Sequence, residues 1–149
     1  TPTPTPTPSP VCFPADAVVE TVSGQLKKME HVAIGDELKV ADGSYSQVFG
    51  FTHRDADIVT EHVQLAAGED LKLETSPTHL LAVNGKLTAA RDVRVGDQLQ
   101  LGSGGTAQVT DVRAVTKRGL YNPQTLHGDI VVNGIVASTY TTTVPPQLA

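Results

Sequence analysis

From Val11 onward the chain carries short apolar runs, several alternating with polar residues and broken at Asp42-Gly43, Asn84-Gly85 and Asn133-Gly134. Alternation with period two puts one face of a segment against a core, and Asx-Gly pairs supply the positive φ that tight hairpin turns need. The pattern predicts strands over 18–22, 37–40, 47–51, 62–65, 71–74, 79–83, 98–101, 108–112 and 130–137. Segments 27–31 and 89–92 each suit one helical turn, but neither continues with a 3.6-residue period, so no long helix is expected. The fold class is therefore all-β.

The same pattern recurs at an offset of 61. Gly24-Gln25-Leu26 meets Gly85-Lys86-Leu87, and Val32-Ala33-Ile34-Gly35-Asp36-Glu37-Leu38 meets Val93-Arg94-Val95-Gly96-Asp97-Gln98-Leu99. The match runs on without a gap to Gly43/Gly104, Gln47/Gln108 and Val48/Val109. Two copies of one β unit, each with an apolar face, would bury those faces against each other about a pseudo-two-fold axis. The Gly-Asp pairs read as turn residues, glycine for the positive φ and aspartate for a side-chain cap, without any catalytic role.

Thr1 to Pro10 departs from this pattern, alternating Thr or Ser with Pro. Such a stretch favours extended polyproline II and cannot build a core, so residues 1–11 are read as a linker, 12–141 as one folded domain and 142–149 as a tail. Tracts of this composition are often O-glycosylated, which points to the secretory pathway or the extracellular space. With 149 residues, 39% of them hydrophobic, there is room for one core. A net charge of -5 with no clustered Lys and Arg argues against nucleic acid as a partner. No apolar run is long enough to span a bilayer as a helix.

The single cysteine, Cys12, excludes an internal disulfide and a thiolate-rich zinc site, and by default would be a small buried hydrophobe. Its position suggests more. It stands where the linker enters the folded part, so its thiol could attack the carbonyl of Val11, making the Cys12 amide nitrogen the leaving group and carrying the upstream chain as a thioester. Such an attack is intramolecular, and effective molarities can then reach about 10⁵ M or more. An amide nitrogen leaves only if it gains a proton, and histidine is the side chain best matched to that task near neutral pH. His79 is the candidate, preceded by Ser76-Pro77-Thr78, whose first hydroxyl could distort the scissile amide or orient the imidazole.

These residues resemble the Hint domain of Hedgehog proteins and inteins, from Cys12 to Tyr140. Cys12-Phe13-Pro14, followed by Gly35-Asp36-Glu37-Leu38, looks like the opening block of a Hedgehog autoprocessing domain. Ser76-Pro77-Thr78-His79-Leu80-Leu81 is similar to its Thr-x-x-His-Leu block, with Ser76 for the usual Thr. Tyr121 to Thr125, His127-Gly128 and Val132 to Tyr140 resemble its closing segment. The resemblance implies a pseudo-two-fold all-β Hint fold in which Cys12 is the nucleophile, His79 and Ser76 assist an N-to-S acyl shift at the Val11–Cys12 bond, and Thr78, His127 and Thr139 line the site.

The departures from the family pattern carry information too. Hedgehog domains that transfer their product to cholesterol have an Asp where His53 stands, and the sequence given leaves no room for a sterol-recognition region. The expected acceptor is therefore water or another small nucleophile, with His53 as its base. Thr139 occupies the place of a second Hedgehog cysteine, and no His-Asn pair of the intein kind occurs from Ala137 to Tyr140, which argues against splicing. Val11 replaces the usual Gly, and its branched side chain should slow attack. His31, His62 and His127 lack the short spacing of a metal-ligand pair, so no metal and no cofactor is expected. The only substrate partner expected is the chain's own upstream segment, cleaved in cis by a monomer. A catalytically silent Hint-like β module and a cysteine hydrolase acting in trans are the alternatives.

Overall fold

The computed structural model describes residues 11–140; the stretch read as a linker before Val11, residue 141 and the tail 142–149 lie outside the described residues. The described chain is built from β1 (Val18–Glu20), β2 (Leu26–Lys28), β3 (Glu37–Lys39), β4 (Tyr45–Ala67), β5 (Leu71–Thr75), β6 (Leu80–Val83), β7 (Lys86–Ala89), β8 (Gln98–Gln100), β9 (Thr106–Thr125), β10 (Asp129–Val132) and β11 (Ile135–Ser138). The two expected helical turns are short 3-10 turns at Met29–His31 and Ala90–Asp92. Strands β1 and β2 pair with each other, and the other nine form one sheet in the order β10-β11-β6-β8-β9-β4-β3, with β5 on β4 and β7 on β6.

Several elements differ from the sequence pattern: it marks neither β2 nor β7 as a strand, and β9 runs on past 112 to Thr125. Segments 47–51 and 62–65 belong to one continuous strand, β4, antiparallel to β9 along nearly its whole length. The middle of β4 is largely exposed on both faces, so no apolar alternation marks it; its pairing rests on the backbone ladder. Conversely, 130–137 is a hairpin of two strands that are buried on both faces, which reads as one unbroken apolar run. Its turn is Asn133-Gly134, at φ 50° and 82°, as a type I′ turn requires.

The repeat is visible in three dimensions at the same offset, with the 3-10 turns, β3 and β8, and the starts of β4 and β9 all equivalent. In both Gly-Asp turns the aspartate accepts a hydrogen bond from the backbone three residues earlier, Asp36 from Ala33 at 2.9 Å and Asp97 from Arg94 at 2.8 Å. Equivalent side chains Met29 and Ala90, Val32 and Val93, Leu38 and Leu99, and Val48 and Val109 are all buried in one cluster. The apolar faces of the two units thus cover each other.

The symmetry is broken where residues 11–17 lie across this frame. Phe13 is fully buried, worth about 2–3 kcal/mol. Its N–H donates to the Tyr121 carbonyl at 2.8 Å, and the Tyr121 N–H returns a bond to the Phe13 carbonyl at 2.9 Å. Two residues on, the Ala15 N–H reaches the Arg118 carbonyl at 2.9 Å. The approach depends on Gly119, whose φ is 99° and at which a Cβ would fall 2.7 Å from Ala15. Cys12 is thereby pinned one residue before the first firm anchor.

Candidate active site

Cys12 is completely buried, and its backbone is held by the turn after β5. The Cys12 N–H donates to Ser76 Oγ at 2.9 Å. Its carbonyl accepts from Thr75 Oγ1 at 3.1 Å and from the Ser76 N–H at 2.9 Å. Ser76, singled out from sequence, therefore touches the amide nitrogen that would have to leave. Thr75 was not singled out; an adjacent hydroxyl on a strand end carries no signal of its own until the register is known.

His79 sits just before β6, fully buried, with its ring centroid 4.1 Å from that of Phe13. Its Nε2 is 2.8 Å from the Ser138 carbonyl. A carbonyl only accepts, so Nε2 carries the hydrogen and Nδ1 holds a lone pair; Nδ1 is buried with no hydrogen-bond partner. Burial pushes the imidazole down to about 4, opposed only in part by the Ser138 and Cys12 carbonyls. Burial also pushes the Cys12 thiol up to about 12. Both shifts oppose a resting thiolate–imidazolium pair. Any deprotonation must accompany attack on the carbonyl.

The neutral imidazole has a consequence for stability. Unfolded, His79 titrates near 6.5; folded, near 4. Between those values the unfolded chain takes up a proton that the folded chain refuses, so stability is full above pH 6.5 and falls as the pH drops towards 4, by roughly 3 kcal/mol. His62, also buried and also held below its usual value by desolvation, adds in the same direction. Denaturant midpoints in a Cys12→Ala background should show this loss, and His79→Gln should remove most of it. Equal pH dependence with and without His79 would contradict a buried neutral imidazole.

His53 is exposed on β4 at a β-bulge. Phe51 pairs with Pro123 and Arg54 with Tyr121, so Thr52 and His53 together stand against Asn122. The Phe13/Tyr121 pair, carried one residue outward, sets Cys12 against Asn122 from the other side. Strand β9 thus brings His53 and Cys12 to opposite flanks of one residue. Asn122 is fully buried; its Nδ2 donates to Thr52 Oγ1 at 3.0 Å and, more weakly, to the Thr139 carbonyl at 3.4 Å. Sequence reasoning did not single it out, since its place depends on the strands that flank it.

The other named residues have the following surroundings. Thr139 is buried and its carbonyl accepts from Gln124 Nε2 at 2.7 Å. Thr78 is half-buried in the turn between Ser76 and His79. His127 is held by Asp129 at 2.9 Å and faces Asp42 at 3.5 Å, in the wall of a cavity of about 340 Å³ that also includes Ser138 and Tyr140. His31 is exposed beside Glu30.

The sequence profile of the Hint module matches residues 5–149. Among curated relatives, Warthog protein 6 of Caenorhabditis elegans is 31% identical over 143 residues, a match covering 85% of this chain and 24% of that protein. Indian hedgehog protein of Gallus gallus is 31% identical over 156 residues, covering 93% of this chain and 38% of that protein. The chain thus spans well under half the length of these relatives. Among solved structures, the gp41-1 intein superposes with a TM-score of 0.77 at 14% identity, covering 87% of this chain and 99% of that one. The bacterial intein-like domain from Clostridium thermocellum gives a TM-score of 0.74 at 19% identity over the same shares.

Proposed function

The chain belongs to the Hint module family, and from that premise we propose that it cleaves itself at the Val11–Cys12 bond. The Cys12 sulfur attacks the Val11 carbonyl carbon, a C–S bond forms, and the C–N bond breaks. His79 Nδ1 takes the thiol proton as the sulfur attacks and passes it to the departing Cys12 nitrogen. The upstream chain is then a thioester on Cys12.

The observation that carries this reading is the grip on Cys12: its N–H on Ser76 Oγ and its carbonyl on Thr75 and Ser76, against a buried imidazole whose Nδ1 is unoccupied. The grip on the Cys12 backbone supports a reading in which the leaving nitrogen is held before reaction, the condition for a large proximity advantage. Serine in place of threonine leaves its hydroxyl freer to rotate, and Val11 crowds the carbonyl, so cleavage is slow. A hydrolase acting in trans is disfavoured, because the thiol has no exposed surface for an outside substrate to reach.

In the second step a nucleophile attacks the thioester, with His53 as its base, leaving the Val11 carbonyl on the acceptor and a free thiol on Cys12. Water or another small nucleophile, rather than a sterol, is that acceptor. The Thr/Pro-rich stretch supports a secretory or extracellular setting. Incubating a precursor with a reporter upstream of Thr1, with and without cholesterol, and weighing the released fragment tests the acceptor. A free carboxylate at Val11 is expected in both; a sterol-sized mass increase would overturn it.

A further inference from the structure

Asn122 presents a buried polar atom that nothing in the acyl shift uses. Its Nδ2 is engaged, but its Oδ1 is buried and has no hydrogen-bond partner. Leaving a buried acceptor unpaired costs about 1–3 kcal/mol, and an alanine there would avoid it. The orientation of the amide is not arbitrary, since turning it over would put Oδ1 against the Thr139 carbonyl, where two acceptors repel.

The register says what Oδ1 adjoins. Phe13 and Tyr121 exchange both backbone bonds, so Cys12 and Asn122 form the next, non-hydrogen-bonded pair. In such a pair the Cα atoms are about 4.5 Å apart and the side chains share a face. The Cys12 N–H and C=O accordingly point away from β9, to Ser76 and Thr75. On the other flank the bulge places Thr52 and His53 against the same residue, and Thr52 Oγ1 is on Asn122 Nδ2. Asn122 thus stands between the strand position of Cys12 and the bulge that carries His53.

We propose that Asn122 Oδ1 and the His53 imidazole together bind the incoming nucleophile by two of its hydrogens, so that this domain selects water and primary amines over alcohols and secondary amines. This rests on the thioester reading above. One hydrogen goes to Oδ1 and is kept; the other goes to His53 as the nucleophile's lone pair attacks the Val11 carbonyl carbon. The C–S bond breaks, the sulfur leaves, and the proton held by His53 returns to Cys12 sulfur. With water the products are a carboxylic acid at Val11, which ionises, and the thiol. An alcohol has one O–H; once the base His53 takes it, the buried Oδ1 stays unpaired, a cost that water and primary amines relieve.

Methylamine and dimethylamine test this, because they are similar bases that differ as free amines in having two N–H groups or one. The full precursor is incubated with each, and the mass of the fragment ending at Val11 gives the amide yields. A valine thioester peptide in solution, treated alike, gives the intrinsic ratio. The expected result is a methylamine preference at least ten times the solution ratio in the parent, falling to within about threefold of it in Asn122→Ala. Spontaneous hydrolysis should fall more in that variant than release by dithiothreitol, which reads thioester formation alone.

A parental ratio equal to the solution ratio, or no amine adduct beyond the solution rate, overturns the proposal without needing the variant to fold. If the parent forms no dithiothreitol-releasable thioester, the underlying reading fails, and that outcome is distinct from failed selection on a thioester that does form.

Discussion

A precursor with a reporter upstream of Thr1 should split between Val11 and Cys12, and Cys12→Ala should abolish the split altogether. No other thiol exists in the chain, so nothing can take over the attack. Truncation to alanine removes one small buried atom next to Phe13 and leaves the backbone bonds to Ser76 and Thr75 in place, so the fold should survive. The loss is therefore chemical. Dithiothreitol or hydroxylamine should accelerate release from the parent by capturing the thioester, and mass spectrometry of both fragments locates the bond. Cleavage of Cys12→Ala at the parental rate would remove Cys12 as the nucleophile and, with it, any thioester.

Much of the fold was legible because the repeat was. Gly-Asp turns and buried Val and Leu positions repeat at one spacing, since both units obey the same packing constraints, and the structure preserves that spacing from the 3-10 turns to the starts of β4 and β9. What escaped was length and pairing. The exposed middles of β4 and β9 hold together through a backbone ladder that leaves no trace in side-chain hydrophobicity. The site followed the same division. Cys12, Ser76 and His79 stand out by residue type and position, and the structure brings the first two into direct contact. Asn122, Thr75 and the Ser138 carbonyl do not, because their roles depend on which strand lies opposite and on a single bulge of one residue. Local chemistry can be read from a sequence; register across three strands cannot.

Replacing either histidine should slow overall cleavage, but a strong nucleophile should separate the two. His79 is buried, with Nε2 tied to Ser138 and Nδ1 without a hydrogen-bond partner, and in the proposed mechanism it passes the thiol proton to the departing Cys12 nitrogen. Its loss removes general acid–base assistance worth roughly 10²- to 10⁴-fold at the first step. Added thiol cannot help, because no thioester accumulates for it to capture, so His79→Ala should remain slow in dithiothreitol. His53, exposed at the β4 bulge, is the base of the second step in that mechanism. In His53→Ala the thioester still forms, and hydroxylamine, which attacks without a base, should restore release to within about threefold of the parent under the same conditions. Because His79→Ala leaves a cavity beside Phe13, His79→Gln, which keeps a donor for the Ser138 carbonyl but cannot shuttle a proton, serves as the control. Single-turnover release by gel, with and without hydroxylamine, gives the four rates. Equal losses in both variants with no rescue of His53→Ala would remove His53 from the resolving step, and rescue of His79→Ala by thiol would remove His79 from the acyl shift.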